Sequence, residues 1–336
     1  MSAVFLPDGV DSPVPWHYGD PHREQTWLRD GASVVDLSHR DVVSIEGPDR
    51  LPWLHSLTTA HLAELPAGGS ALSLILDPHG HVEHELRVTD DGERTLITVE
   101  PGSGETLARY LDQMRFMLRV SVQEEPGLAA VWSTLAEPLP QQVRRWEQPA
   151  EFTGVGTTPA GEDRGGSAQR YVPQRPALLP GAEVLVPADE LAAALAFAPH
   201  RSGTWALEAL RTAAAVPRLG FETDHRTLPH EVGWIGPAVH LAKGCYRGQE
   251  TVARVHNLGR PPRRLALAHL DGSLETLPTH GDPVSVGDKV VGWVATPVRH
   301  HELGPLATVV LKRNVDPSAP LLIGDIAGGQ EVVVAA

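Results

Sequence analysis

The reactive side chains of this sequence gather in one stretch, Lys243-Gly244-Cys245-Tyr246-Arg247-Gly248-Gln249-Glu250-Thr251-Val252-Ala253-Arg254. It holds the single cysteine among 336 residues. A cysteine acts as nucleophile or soft-metal ligand in its thiolate form. Lys243 and Arg247 stand two residues to either side of it, and a helix is expected from Gln249 to about Asn257, stopped at Gly259. Both cations and the positive end of that helix favour the thiolate, whereas Glu250 opposes it. A half-buried loop cysteine between two turn glycines is the alternative.

The same stretch opens a basic run. Lys243, Arg247, Arg254, Arg260, Arg263 and Arg264 face one acid, Glu250, a local charge of +5 in a chain of net charge −14. Such an excess fits an anion site, with a solvated basic loop as the alternative. The acidic whole, with 28 basic and 42 acidic residues, argues against broad binding to nucleic acid or anionic membrane. Other constellations carry less. His79, His81 and His84 surround one turn, but no acid or cysteine completes a zinc spacing, so no metal site is expected. Gly102-Ser103-Gly104 lacks the lysine of a phosphate loop and reads as a helix start. No G-x-S-x-G elbow supports serine catalysis.

The elements that must position these residues follow from periodicity. A chain of this length suggests two or three domains. No apolar run reaches the length of a membrane span, and Met1 to Asp20 lacks the order of a signal peptide. One cysteine excludes an internal disulfide and fits a reducing cytoplasm. Residues 1–30 read as an extended arm, followed by strands from Val34 and a helix after Pro48. Strands are expected at 70–76, 81–89, 94–99, 120–123 and 129–133, with an amphipathic helix over 104–118. Residues 134–170 read as an irregular, partly mobile connection. A strand at 184–186 and helices at 189–198 and 204–216 come next. Beyond Pro262 short β-rich runs between glycines fit a small antiparallel barrel.

The run K-G-C-Y-R-G-Q-E-T-V-A-R resembles the signature of the YgfZ family of folate-binding iron–sulfur assembly and repair proteins, related to mitochondrial IBA57. That family is similar to the T-protein, the aminomethyltransferase of the glycine cleavage system. Asp36-Leu37-Ser38, leading to Gly47-Pro48-Asp49-Arg50, resembles the opening of the T-protein fold. The resemblance is strongest over 204–264. It implies an α+β, T-protein-like fold of three domains around a central channel. Residues 1–50 and 134–261 would form a discontinuous folate-binding domain, 51–133 a ferredoxin-like inserted domain, and 262–336 a C-terminal antiparallel β-barrel.

The resemblance also implies function. The protein would bind tetrahydrofolate or another reduced folate and support assembly or repair of iron–sulfur enzymes, with iron–sulfur client or assembly proteins as partners. Cys245 would be the working thiol and Lys243 its activator. Gly244 and Gly248 would permit a tight backbone, while Tyr246, Gln249 and Glu250 order the loop and Arg254 faces the folate's glutamate tail. For the pterin, whose amidine-like edge a carboxylate can accept, the T-protein pattern points to Glu183 in Pro180-Gly181-Ala182-Glu183-Val184. Glu85, ending G-H-V-E-H-E, is the second choice, and Arg211 in Glu208-Ala209-Leu210-Arg211 is a folate-side cation. Glu222, Asp224 and Glu231 read equally as exposed loop acids. A folate-dependent one-carbon transferase or demethylase is the alternative activity, and a non-enzymatic scaffold a third. Against the transferase stand the cysteine before G-Q-E and the divergent stretch from Phe152 to Asp163.

Overall fold

The computed structural model describes residues 2–153 and 177–334. The N-terminal residues are not an extended arm. Val4 bridges to His17, and Pro21–Arg29 forms helix α1. Asp20 caps that helix by accepting from the Arg23 amide, and Pro21 suits a position where no helical N–H is needed. Trp16 stacks on Trp205 at 5.5 Å, and Asp11 is buried. These partners are remote in sequence, so local periodicity carries no sign of them.

Strands β1 (Ser33–Asp36) and β2 (Asp41–Glu46) lead to helix α2 (Arg50–Leu57), whose Pro52 sits in the first turn and breaks no helical hydrogen bond. The expected meander follows as β3 (Ser70–Leu76), β4 (Val82–Asp90) and β5 (Arg94–Val99). Helix α3 (Gly104–Met114) buries Leu107 and Leu111 but stops short of residue 118. Phe116 takes a positive φ of 47°, and Phe116 and Met117 turn into solvent. Then come β6 (Ser121–Glu124) and β7 (Leu128–Ser133). The expected irregular connection contains β8 (Arg144–Trp146) and helix α4 (Ala150–Thr153), and its remainder from 154 lies outside the described residues. Beyond it lie β9 (Ala182–Pro187), α5 (Leu191–Phe197), β10 (His200–Ser202), α6 (Thr204–Ala213) and α7 (Gln249–Leu258).

These strands build two five-stranded sheets, ordered β10-β1-β7-β9-β8 and β3-β4-β5-β2-β6. Only the β1–β10 pair is parallel among the paired neighbours of these sheets. The sheets share a core in which Val35 and Trp132 of the first meet Leu74 and Leu96 of the second. The far face of the second sheet packs on α2 and α3 through Trp53, Leu54, Leu107 and Leu111.

The remaining strands are β11 (Arg263–Leu270), β12 (Pro283–Val286), β13 (Lys289–His300), β14 (Gly304–Lys312), β15 (Leu321–Ile323) and β16 (Ile326–Val332). They close a barrel in the order β11-β14-β13-β12-β15-β16. Helix α6 lies against it, Ala209 and Ala213 packing with Leu265, Leu267, Ala295 and Val310. Alanine at those positions lets the helix approach the barrel closely, which accounts for its alanine-rich composition.

Candidate functional site

A narrow cavity of about 30 Å³ lies between the two sheets and α6, room for a water or two. Its walls combine Trp132 of β7 and Trp146 of β8 with Glu85 and Arg87 of β4, Arg40 of the β1–β2 loop, and Glu208 and Arg211 of α6. The indole N–H groups are engaged elsewhere, Trp132 with the Pro180 carbonyl and Trp146 with that of Ala71, so neither is spare to donate to a ligand. Small-molecule sites are typically at least about 300 Å³, so a bicyclic ligand must displace lining side chains to enter.

The charged lining is buried and ion-paired. Arg87 donates to Glu183 and lies over the Trp146 ring at 5.1 Å. Arg211 donates to both oxygens of Glu208 and to Glu222, and also reaches Thr296 on the barrel. Arg218 forks onto Asp11 and meets Glu100. Burial works to raise Glu100, but Arg218 and Arg40 outweigh it and hold that carboxyl at about 2. Burial raises Glu85, against the opposing pull of Arg87. Several buried atoms of this group make no hydrogen bond: Glu183 Oε1, Arg40 Nε and Arg87 Nε. The two unmatched donors, on Arg40 and Arg87, line the cavity and mark a place where a polar ligand can be held.

The expected pterin residues are thus brought near one another, with their order changed. Glu85 and Arg211 line the cavity, whereas Glu183 stands behind Arg87. Sequence reasoning missed Arg40, Arg87, Glu100, Arg218 and Asp11, which sit in segments with no distinguishing local pattern. It also treated Glu222 and Glu231 as loop acids. Glu222 is fully buried and takes hydrogen bonds from Thr296 and Thr308 of the barrel, and Glu231 is buried against Arg263.

The cysteine stretch is a clamp rather than a wall of the cavity. Lys243 is buried, and its ammonium donates to the carbonyls of His55 in the last turn of α2 and of Thr58 and Ala60 just beyond it. All three of its donors are thereby engaged, and burial lowers it to about 8. Arg247 pairs with Glu83 at 3.0 Å. Both cations that flank the thiol in the sequence are thus engaged with other groups. Cys245 itself is exposed and does not line the cavity. Tyr246 is buried in the shared core, where burial raises its phenol to about 12. Gln249 helps to order the loop by donating to the Lys243 carbonyl at 3.4 Å, while Glu250 and Arg254 are exposed.

Gly248 has φ +81°, and a Cβ there would stand 2.6 Å from the Asp77 carbonyl oxygen, so glycine is required. Gly244 meets no such constraint, which corrects the expectation of two constrained glycines. The basic run is likewise corrected. Arg263 is held by Asp224 and Glu231, and Arg264 is buried against Gln330, so the charges do not form one surface patch. His81 bonds to Asp77, and no group of three His, Cys, Asp or Glu among the described residues is arranged to hold a metal ion. No described helix is long and apolar enough to cross a membrane.

A family model described as the GCVT N-terminal domain matches residues 3–131, the part of the chain where sequence reading found the weaker resemblance. An aminomethyltransferase of Symbiobacterium thermophilum is 24% identical over 89% of this chain and 87% of its own length. An aminomethyltransferase of Stenotrophomonas maltophilia is 28% identical over 66% of this chain and 62% of its own. The mitochondrial iron-sulfur cluster assembly factor IBA57 homolog of Pyricularia oryzae is 25% identical over 70% of this chain and 56% of its own. The crystal structure of glycine cleavage system aminomethyltransferase T from Bartonella henselae superposes with a TM-score of 0.74 at 17% identity, covering 99% of this chain and 93% of that one. The expected α+β T-protein-like fold, ending in an antiparallel barrel, is the fold observed. The likeness to the Bartonella henselae structure is one of fold, and the sequence similarity to the aminomethyltransferases and to the IBA57 homolog lies between 24% and 28% identity.

Proposed function

We propose that the protein binds a reduced folate in the cavity between its two sheets and uses it in support of iron–sulfur enzymes, with Cys245 as the working thiol. The observation that carries the ligand half is the lining: buried carboxylates and guanidiniums, Arg40 and Arg87 with unmatched Nε donors, beside the indoles of Trp132 and Trp146. A pterin edge offers an N–H pair to a carboxylate and acceptor atoms to the Arg40 and Arg87 Nε donors, and its flat ring suits Trp132 and Trp146. The bound folate would supply its one-carbon or redox chemistry, and this chain would orient the ring and exclude water from it. Domain limits are proposed as 1–50 with 134–261, 51–133 and 262–336.

The thiol half is supported by the setting of Cys245, exposed on a loop fixed by Lys243 and Gly248, and by the likeness to an IBA57 homolog. One cysteine offers a cluster a single thiolate, so any cluster handled would be shared with a partner protein as cargo. The alternative of one-carbon transfer is favoured by the aminomethyltransferases among the relatives. Two experiments test the reading. Glu183 acts on the site through Arg87, so Glu183→Gln, which breaks that charged hydrogen bond, is expected to weaken tetrahydrofolate by up to roughly 1.5–3 kcal/mol, and unchanged affinity would remove that carboxylate from the site. In a strain lacking the protein, the wild type is expected to restore iron–sulfur enzyme activity and Cys245→Ser to fail. Full rescue by the serine variant, with folate-dependent aminomethyl transfer by the pure protein, would favour the transferase.

A further inference from the structure

One connected, buried network underlies the cavity. Asp11 pairs with Arg218 and His39, and Arg218 also meets Glu100 and Glu208. Arg40 meets Glu100 and Glu183, and Arg87 meets Glu183 and Glu85. Arg211 joins Glu208 to Glu222. Among the described residues this is six carboxylates against four guanidiniums and one imidazole. Even with His39 charged the sum is negative. A low-dielectric interior does not hold such an excess, and the least compensated acid takes up a proton instead.

Geometry singles out that acid. Asp11, Glu100, Glu208 and Glu222 each have a guanidinium nitrogen within 3.0 Å, and Glu183 is in direct contact with Arg87. Glu85 has its nearest guanidinium nitrogen, Arg87 Nε, at 3.8 Å, and accepts from the Leu219 amide at 3.2 Å. The charged groups facing it are Arg87 on its own strand, Arg40 from the β1–β2 loop and Glu100 after β5. Glu208 and Arg211 of α6 share the cavity wall with it. Burial and Glu100 disfavour its ionised form, and Arg87, Arg40 and the Leu219 amide do not offset them.

We propose that Glu85 carries a proton in the ligand-free protein and determines the specificity of the cavity: it takes a ligand edge that donates hydrogens or bears positive charge, and releases its proton to solvent as that edge docks. The amidine-like edge of a pterin is such a group, so the ligand rests on the folate reading, whereas the proton does not. One proton leaves the Glu85 carboxyl, and the ligand's donors replace it. An edge made only of acceptors would leave the proton in place.

The proton is tested first without ligand. Infrared spectra of the full chain at neutral pH are expected to show the carbonyl stretch of a protonated carboxyl that Glu85→Gln, a neutral replacement, removes. No such difference overturns the proposal. Calorimetry with tetrahydrofolate in two buffers of different ionisation enthalpy then follows the exchange. About one proton released per ligand is expected, with affinity falling tenfold per pH unit below the titration of Glu85. Saturable binding with heats independent of buffer overturns the displacement. Absence of binding in either buffer counts against the folate reading, and the infrared difference then decides the protonation of Glu85 by itself.

Discussion

Lys243 shows how a side chain's surroundings change its chemistry. Two residues from a cysteine, it reads in the sequence as an activating cation. In the fold it is buried and its three hydrogens go to the carbonyls of His55, Thr58 and Ala60. Lys243→Met should therefore act on stability, leaving buried carbonyls unmatched at about 1–3 kcal/mol each where water does not replace the ammonium. Thermal melting is expected to drop, while alkylation of Cys245 by iodoacetamide stays as fast or becomes faster as the loop loosens. A slower alkylation with an unchanged melt would restore Lys243 as the activator.

At the scale of elements, the loop before α7 is held by its glycines unequally. Gly248 adopts φ +81° against the turn after β3, while Gly244 has open space around it. Gly248→Ala is expected to cost about 1–3 kcal/mol, the range for a residue held in a sparsely populated backbone region, and Gly244→Ala to be nearly neutral. Denaturant unfolding of both variants checks this, and equal losses would contradict it. The elements themselves were largely legible. Strands β3, β4 and β5, helix α6 and the barrel texture followed from periodicity, because each buries one face of a regular repeat. What periodicity could not show was which remote segments meet. Asp11 joins Arg218 across 207 residues, and Glu222 joins the barrel's Thr308 across 86. The candidate site is made of such pairings, so Glu85, Glu183 and Arg211 were reachable only through family resemblance, and Arg40 and Arg87 not at all.

For the whole molecule, the buried network ties the N-terminal residues, both sheets, α6 and the barrel into one electrostatic unit. Its acid sensitivity follows. Glu100 is held at about 2, below its ordinary 4.5, so the folded state favours the ionised carboxylate. The stability this contributes is present above pH 4.5 and is lost as pH falls toward 2. Unfolding free energy should decline through that window, and Glu100→Gln should flatten the decline. A variant as acid-sensitive as the wild type would place the effect in other carboxylates.

The central claim is that the cavity between the sheets is the ligand site. Leu207, on its wall, offers a test that leaves every charge in place. Leu207→Phe adds bulk on the scale of the 30 Å³ opening and costs little more than about 1–3 kcal/mol of overpacking. Calorimetric titration with tetrahydrofolate should give saturable binding with one site per chain for the wild type, and none for folded Leu207→Phe. Wild-type affinity in that variant, or no saturable binding to the unaltered protein, would contradict the account.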